Sequence, residues 1–351
     1  MKVVIASVQV PYIKGGAEEQ AGSLRAELAR RGCQAEIVTI PFKWYPAETV
    51  LRCMVMGRLM DLTEMDGKKI DLVIALKFPA YYLQHPCKVV WLLHQHRQAY
   101  DLWGTEFGDI HKWPEGEYIR KSIIANDCSM LPEARRLYTI SQNVSTRLRK
   151  FNGLHAEPLY HPPALWNVLK AESYERFIFY PSRITPIKRQ RLIVEAARYF
   201  DNGVRVILAG KDDSGELEHI RRIIHKHNLE DRIVLPGFLT EEEKIDLYAR
   251  CGAVYFGGYD EDYGYIPLEG MFASKPVITH SDAGGALEFV RDGENGRVTA
   301  PDPERLAEAV NHLFSKPEVL PELGRRGRET MRRKQVSWDF VLDRLLEPAR
   351  G

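Results

Sequence analysis

The amino-acid sequence predicts an α/β protein built from two doubly wound, Rossmann-like domains that face one another. Short, β-rich apolar runs alternate with segments of helical period along nearly the whole chain. Such alternation implies right-handed βαβ units and parallel sheets buried on both faces. The 351 residues exceed one ordinary α/β core and suit two domains of roughly 150–180 residues each. The Pro-containing stretch Pro158–Ala164 separates two such series of elements.

Each half of the chain contains its own series of predicted strands. In the first half they are Val3–Val10, Ala35–Ile40, Leu72–Leu76, Val89–Leu93 and Leu137–Ile140. In the second half they are Phe177–Tyr180, Val204–Ala209, Ile233–Leu235, Ala253–Phe256 and Pro276–Thr279. The amphipathic segments between strands include Glu19–Arg31, Arg189–Phe200, Leu217–His227, Glu241–Arg250 and Glu304–Phe314. We therefore expect residues 1–165 to form one domain, residues 166–335 a second, and residues 336–351 a helical tail that crosses back to the first.

The composition argues against several classes of protein. The formal net charge is +1, whereas nucleic-acid binders usually carry a strong basic excess, so no nucleic-acid partner is expected. The basic stretch at residues 325–334 is interpreted as a solvated helix face, with contact to an anionic membrane as the alternative. No apolar run approaches the ~20 residues needed to span a bilayer. The apolar start of the chain is interrupted by Gln9, and we interpret it as a buried strand and not as a signal peptide.

The cysteines indicate a reducing compartment. Five of them are scattered along the chain, and no C-x-x-C pair occurs. We expect reduced thiols, and neither a disulfide framework nor a zinc site. The protein is therefore expected to be cytoplasmic and soluble, or at most peripheral at the inner face of a membrane.

Two cations follow the first strand of the second half. In open parallel sheets, ligands bind beyond the carboxyl ends of the strands, at the topological switch point. Arg183 and Lys188 follow Phe177–Tyr180 and precede a helical segment. The fork-shaped guanidinium can bind a diphosphate through two hydrogen bonds, and the flexible ammonium adds a point charge. The alternative is a pair of solvated surface cations.

Two carboxylates, Glu261 and Glu269, are separated by seven residues, with Gly264 between them and Pro267 where a helix would begin. Glu261 is then expected in a loop and Glu269 in the first helical turn. Glu269 could accept hydrogen bonds from a ribose diol, and Glu261 could reach hydroxyls of a donor sugar. Backbone N–H groups at the start of this helix would bind phosphate oxygens, and they belong to Gly264, Tyr265 and Ile266. The alternative is ordinary carboxylates at a helix N-terminus.

Two further strand ends carry candidate donor contacts. Gly210 and Lys211 follow the strand Val204–Ala209 directly. Gly237 precedes Leu239 after another strand and would let the backbone approach a flat base, whose edge the Leu239 main chain could pair with. Generic turns between strands and helices are the alternative.

Together these motifs resemble the donor domain of the retaining family 4 glycosyltransferases, also called glycosyl transferases group 1. The order R-x4-K, A-G-K, G-F-L, E-x7-E, G-G-x-x-E and N-G runs from about Arg183 to Gly296, and E-x7-E with its G-Y-I-P core is the specific part. The resemblance implies the GT-B fold, in which two Rossmann-like domains enclose a cleft. It also implies that Arg183 and Lys188 contact the diphosphate, Glu261 the donor sugar and Glu269 the ribose, without a metal ion.

The first half carries two candidate loops. Gly15 and Gly16 do not belong to a G-x-G-x-x-G fingerprint, but they resemble the G-G-x-E loop of the same family, whose backbone approaches the diphosphate. The family also carries a histidine beside the reacting sugar, near the end of the strand Val89–Leu93. His94 lies closer to the strand end and is favoured over His96, and a structural histidine is the alternative for either. The aromatic segment from residue 100 to residue 118 is expected to form the acceptor wall.

The resemblance implies a metal-independent hexosyltransferase that uses a nucleotide sugar and has no further cofactor. It would transfer the sugar with retention to a hydroxyl of a glycan or lipid-linked acceptor, in polysaccharide or glycoconjugate biosynthesis. UDP is favoured over GDP as the nucleotide of the donor. Two alternatives are a sugar phosphorylase of the same fold and a non-catalytic partner subunit. The presence of both cations and both carboxylates counts against the second alternative.

Overall fold

Two units make up the chain. The computed structural model describes residues 1–12, 15–201, 203–212 and 214–350. One unit comprises Met1–Ala164 and Val336–Gly351, and the other comprises Leu165–Gln335. Each unit contains a parallel sheet connected through helices, which confirms the predicted α/β class with two Rossmann-like domains. None of the helices in the described ranges combines the length and the apolar character needed to span a bilayer.

The first unit is built on a parallel sheet. Its strands, within the described residues, are β1 (Lys2–Gln9), β2 (Gln34–Pro41), β3 (Glu64–Met65), β4 (Lys68–Lys69), β5 (Leu72–Ala75), β6 (Lys88–Leu92), β7 (Arg136–Thr139) and β8 (Glu157–Pro158). Its first helices are α1 (Gly16–Arg30), α2 (Thr49–Leu59), α3 (Gly116–Met130) and α4 (Gln142–Asn152). The order across the sheet is β2-β1-β5-β6-β7-β8, while β3 and β4 form a separate antiparallel hairpin. The central strands β5 and β6 are buried throughout, as expected for a parallel sheet covered on both faces.

The second unit repeats this architecture. Its strands, in the part of the chain that the structure describes, are β9 (Glu175–Pro181), β10 (Arg205–Ala209), β11 (Ile233–Gly237), β12 (Cys251–Tyr255), β13 (Val277–His280) and β14 (Gly296–Thr299). The helices are α5 (Gln190–Ala196), α6 (Glu216–Lys226), α7 (Glu241–Arg250), α8 (Tyr265–Phe272), α9 (Pro303–Ser315) and α10 (Leu320–Arg333). The order is β11-β10-β9-β12-β13-β14, and all neighbours are parallel. The strand order changes direction between β9 and β12, so the topological switch point lies there.

The last helix, α11 (Trp338–Arg350), belongs to the first unit. The Trp338 ring packs edge-on against Trp91 of β6, with ring centroids 6.2 Å apart, and lies 5.5 Å from the ring of His161. Burial lowers the pKa of His161 to about 3, so this imidazole is neutral near physiological pH. Arg31, which follows α1, pairs with the exposed Asp339 at 2.7 Å. Exposed ion pairs contribute little, so we attribute the docking of α11 mainly to its buried rings.

Candidate active site

A cation and a carboxylate meet at the switch point of the second sheet. β9 and β12 are neighbours, so the segments that follow their carboxyl ends lie side by side. The first segment carries Lys188, and the second carries Glu261. The Lys188 ammonium donates a hydrogen bond to a carboxylate oxygen of Glu261. Both side chains remain accessible, with 18% and 25% of their surface exposed, respectively. The structure thus joins two residues that the sequence assigns to neighbouring parts of one ligand.

The backbone around Glu261 is held by the turn that follows β13. The Gly285 N–H donates to the Glu261 carbonyl at 2.7 Å, and the Glu261 N–H donates to Ala283 at 3.3 Å. Gly284 adopts φ +63°, and a Cβ at this position would lie 2.6 Å from the Glu261 carbonyl oxygen. Glycine is therefore required here both for its conformation and for the close approach of the backbone. The G-G-x-x-E motif positions Glu261 through its main chain.

Arg189 is a further anchor of this site that the sequence reasoning missed. Its guanidinium donates to both carboxylate oxygens of Asp282, at 2.8 and 2.7 Å. It also donates to the carbonyls of Gly257 and Gly258, at 2.6 and 3.3 Å. Arg189 thereby ties the segments after β9, β12 and β13 together. Its adjacency to Lys188 is the only signal in the sequence, and Arg189 itself was assigned to an amphipathic helix.

The helix after Glu261 begins earlier than the sequence predicts. Gly264 adopts φ +92° and α8 starts at Tyr265, two positions before Pro267. Proline is tolerated in the first turn because the N–H groups there have no partner within the helix. The prediction that Glu269 lies in the first turn is therefore wrong, since it is the fifth residue of α8. Tyr265 and Ile266 do lie at the start of the helix, as expected for an anion site.

Glu269 is deeply buried and is not an exposed carboxylate at a helix end. It is 5% exposed. One carboxylate oxygen accepts from the Lys244 ammonium at 2.8 Å, and the other accepts from the Tyr248 hydroxyl at 2.5 Å. Burial, with the negative charge of Glu269, raises the pKa of Tyr248 well above its ordinary value and keeps this hydroxyl a donor. A carboxylate offers about four lone-pair positions, so Glu269 retains capacity for further donors.

The other predicted donor contacts lie at neighbouring strand ends. Arg183 follows β9 and is exposed. Gly210 follows β10 with φ +148°, and its N–H donates to the Gly237 carbonyl at 2.8 Å. Lys211 is exposed, and Leu239, after β11, is half-buried. The structure places these residues along the same edge of the sheet as Lys188.

The glycine loop of the first unit caps a helix. Gly15 precedes α1, which begins at Gly16. The Gly15 N–H donates to the Glu18 carboxylate at 2.8 Å, and the Glu18 N–H donates back to the Gly15 carbonyl at 3.1 Å. Glu18 therefore completes the first turn of α1. The preceding Lys14 lies outside the described residues.

The two candidate histidines differ in their surroundings. The ring of His96 packs against Phe42 and Phe78, with ring centroids at 5.8 and 5.2 Å. Burial lowers the pKa of His96 to about 3. His94 is half-buried, and its Nδ1 lies 2.5 Å from the Gln95 carbonyl oxygen. His96 is half-buried as well, so the choice of His94 over His96 stays a prediction.

The predicted acceptor wall divides into buried and exposed residues. Tyr100 is 2% exposed and its hydroxyl donates to Asp127 at 2.6 Å, so the expectation that it lines an acceptor site is wrong. Tyr118, on α3, is 66% exposed. In the described ranges, no group of three or more His, Cys, Asp or Glu side chains is arranged to hold a metal ion.

Solved structures show the same fold. Sucrose-phosphate synthase from Thermosynechococcus elongatus superimposes with a TM-score of 0.79 at 16% sequence identity, over 99% of this chain and 98% of that chain. Anabaena HepE in complex with UDP-glucose superimposes with a TM-score of 0.72 at 17% identity, over 99% and 98% of the two chains. These likenesses show the GT-B fold, with two Rossmann-like domains.

Sequence comparison adds a family match for the second unit. The family model of glycosyl transferases group 1 matches residues 167–330, which include the Lys188–Glu261 pair. Over 137 residues, the chain is 31% identical to alpha-1,3/1,6-mannosyltransferase ALG2 of Dictyostelium discoideum. The aligned residues make up 37% of this chain and 32% of that protein. The aligned segments span between 32% and 60% of the first three curated relatives.

Proposed function

We propose that the protein transfers a hexosyl group, with retention of anomeric configuration, from a nucleoside-diphosphate sugar to a hydroxyl of a glycan or lipid-linked acceptor. The reaction would serve polysaccharide or glycoconjugate biosynthesis. The observation that carries this proposal is the Lys188–Glu261 ion pair at the switch point of the second sheet. Ligands of open parallel sheets bind at such points. An adjacent cation and carboxylate can hold a phosphate oxygen and a sugar hydroxyl side by side.

The residues around this pair suit a nucleoside diphosphate. The Arg183 guanidinium can bind diphosphate oxygens in pairs, and Lys188 adds a second positive charge. The first N–H groups of α8 would add hydrogen-bond donors for the same diphosphate. Glu269 has lone pairs left for ribose hydroxyls. Uridine is the favoured base, because HepE of the same fold was solved with UDP-glucose. Since protein cations meet the charge of the leaving group, we expect activity to survive treatment with a chelator.

The chemistry begins with cleavage of the bond between the anomeric carbon and the diphosphate oxygen. The electron pair leaves with the diphosphate, whose charge Arg183 and Lys188 stabilise, and the sugar becomes oxocarbenium-like. The acceptor hydroxyl then attacks the anomeric carbon from the same face and gives its proton to an oxygen of the departing diphosphate. Glu261 holds a sugar hydroxyl and is not the nucleophile. The products are the glycoside and the nucleoside diphosphate.

The first unit contributes to the proposal through its candidate loops. We assign His94 to a hydroxyl of the reacting sugar, and the backbone of Gly15 and Gly16 to the diphosphate. We also place the reaction in the cytoplasm, a reducing compartment. The five cysteines support this location because all of them are free thiols in the structure.

A thermal-shift screen tests the donor site. Wild-type protein would be heated with millimolar UDP-, GDP-, ADP- and dTDP-sugars, and a hundredfold excess over Kd stabilises the fold by about 2.7 kcal/mol. We expect a shift with one nucleotide class that disappears in Arg183→Ala and falls to about half in Glu269→Gln. Lys170→Ala serves as the control, because Lys170 is an exposed cation of the same unit, 67% exposed and paired with Glu172. No shift with any donor would favour a non-catalytic partner.

The stereochemistry of the product tests the mechanism. Once the donor is known, transfer to a simple hydroxyl acceptor can be followed by proton NMR of the anomeric signal. An inverted configuration would contradict the proposed mechanism. Breakdown of a disaccharide that requires inorganic phosphate would instead indicate a sugar phosphorylase.

A further inference from the structure

A buried carboxylate in the first unit is surrounded by phenol hydroxyls. Asp127, on α3, is 0% exposed. Its Oδ1 accepts from Tyr81 at 3.0 Å and from Tyr82 at 2.7 Å, and its Oδ2 accepts from Tyr100 at 2.6 Å. Burial raises the pKa of Asp127 to about 6, against the lowering effect of its three donors. Burial of a carboxylate costs free energy, and apolar side chains of similar volume often stabilise a core at least equally.

The network continues from Asp127 to His94. The Tyr100 hydroxyl oxygen accepts from Asn152 Nδ2 at 3.2 Å, and the Asn152 carbonyl oxygen accepts from Gln95 Nε2 at 3.0 Å. Gln95 is 0% exposed, so its side chain is confined between these partners and the sheet. The backbone carbonyl of the same residue lies 2.5 Å from His94 Nδ1. Hydrogen bonds therefore run from the buried carboxylate through Tyr100 and Asn152 to the Gln95 side chain, and the Gln95 backbone continues the connection to the candidate histidine.

The groups at the two ends of this connection, the Asp127 carboxylate and the Gln95 carbonyl, are acceptors, and they fix which atoms donate. An ionised carboxylate only accepts, so Tyr100 must donate to Asp127 and present its oxygen to the Asn152 amide N–H. The Asn152 carbonyl then faces the Gln95 amide N–H. At the other end, the Gln95 carbonyl only accepts, so the proton of a neutral His94 resides on Nδ1. The lone pair of the neutral His94 ring then lies on Nε2.

We propose that Asp127 is a positioning residue that holds the His94 loop, and with it the contact between His94 Nδ1 and the Gln95 carbonyl that fixes the imidazole tautomer, acting through Tyr100, Asn152 and Gln95. Tyr81 and Tyr82 stabilise the same carboxylate but lie outside the chain to His94. The proposal rests on the assignment of His94 to the reacting sugar under the proposed function. The proposal predicts that removing different hydroxyls around Asp127 changes catalysis to different extents, although all of them bind the same carboxylate.

A comparison of Tyr100→Phe with Tyr82→Phe tests the proposal. Each variant removes one hydroxyl from Asp127, so we expect similar losses of melting temperature. The release of UDP from UDP-glucose by hydrolysis is the catalytic readout. We expect kcat to fall about tenfold in Tyr100→Phe, the scale of one hydrogen bond, with KM nearly unchanged, and to stay within about twofold of wild type in Tyr82→Phe. Equal effects of the two variants on kcat would overturn the proposal.

A second measurement does not depend on catalysis. Nitrogen-15 NMR distinguishes the protonated from the unprotonated imidazole nitrogen, and the His94 signals can be assigned by their loss in His94→Gln. We expect the Nδ1–H tautomer in wild type and in Tyr82→Phe, and a mixture in Tyr100→Phe. Unchanged tautomers in Tyr100→Phe would refute the positioning role. Full activity of His94→Gln would instead refute the assigned role of His94, so the two failures are distinguishable.

Asn152→Leu provides an independent break in the chain. It interrupts the connection one bond further from Asp127 and leaves all three phenol donors on the carboxylate. We therefore expect it to reproduce the fall in kcat and the tautomer mixture of Tyr100→Phe even where the latter folds poorly. Wild-type kcat and tautomer in a folded Asn152→Leu protein would overturn the proposal.

Discussion

The Lys188 ammonium is paired with the Glu261 carboxylate, although the two residues are 73 positions apart in the chain. In this arrangement each side chain neutralises the other, so neither charge needs a counterion from solvent. A diphosphate carries more negative charge than one carboxylate and would compete for the ammonium. The carboxylate would then be released toward hydroxyl donors of the sugar. The pair is therefore suited to exchange its internal partner for two parts of one substrate.

Replacement of Lys188 by Met should lower kcat for nucleotide release by about 10²–10³-fold, the scale of losing one group that stabilises developing charge. The physical reason is that the leaving diphosphate loses a positive charge that it needs most in the transition state. Steady-state kinetics with the donor found in the thermal-shift screen would measure the effect. Lys170→Met should match wild type. A raised KM with unchanged kcat would mean that Lys188 only binds the donor and does not favour its transition state.

Gly284→Ala and Gly293→Ala form a matched pair. Both glycines have positive φ, +63° and +70°, so each substitution costs about 1–2 kcal/mol in backbone strain. A Cβ at Gly293 meets no atom within 4 Å, whereas one at Gly284 would lie 2.6 Å from the Glu261 carbonyl oxygen. We expect Gly293→Ala to lose only stability, measured by denaturant unfolding. Gly284→Ala should lose more stability and also most transfer activity, because Glu261 is displaced. Normal activity in Gly284→Ala would show that this turn does not position the carboxylate.

Much of the fold could be predicted from the sequence because regular elements leave periodic signals. β5 and β12 are short, wholly buried runs, and they were found from their apolar residues alone. α7 was predicted with its observed bounds. Thr240 and Glu243 close its first turn by exchanging hydrogen bonds, at 2.8 and 3.2 Å, and mark the helix start. The two-residue strand β8 is too short to leave a pattern. α3 was missed, and no side chain caps its first turn.

The candidate site was only partly predictable. Lys188 and Glu261 were found because both follow strands whose carboxyl ends share one edge of the sheet. The contact between Arg189 and Asp282 joins residues 93 positions apart, and no local pattern connects them. Asp127 stands in a helical segment, where a lone carboxylate is indistinguishable from a solvated position. Its burial depends on three tyrosines from other parts of the chain, so only the tertiary structure reveals it.

Glu269→Gln should lower the affinity for UDP about tenfold, since it weakens acceptor contacts to ribose hydroxyls, and calorimetric titration would measure this loss. Glutamine keeps an oxygen for Tyr248 but removes the charge that faces Lys244. Lys244→Met is the matched control, because it breaks the same ion pair and leaves the carboxylate in place. We expect either variant to cost about 1–2 kcal/mol of stability, because the Lys244 side chain is 28% exposed. Equal loss of UDP affinity in both would mean that Glu269 acts only through the fold.

The pH dependence of stability tests the burial of Asp127. Burial raises the pKa of its carboxyl from 3.8 to about 6 in the folded protein. The folded state therefore keeps a proton that the unfolded chain has released, and this contribution to stability is complete below pH 4 and is lost as the pH rises through 6. Relative to Asp127→Asn, the free energy of unfolding of wild type should fall by about 3 kcal/mol between pH 4 and 7.

Asp339→Asn provides a control of opposite sign. The hydrogen bond from Arg31 lowers the pKa of the exposed Asp339, so its contribution to stability is present above the unfolded pKa and is lost as the pH falls. Relative to Asp339→Asn, wild type should therefore gain stability as the pH rises through the acid range.

The outcomes for Asp127 are distinct. If the difference in free energy of unfolding between wild type and Asp127→Asn does not change with pH, the Asp127 carboxylate is solvated. A difference that falls and then levels off by pH 7 would show that Asp127 is ionised at neutral pH in spite of its burial. An ionised carboxylate obliges Tyr100 to donate toward it.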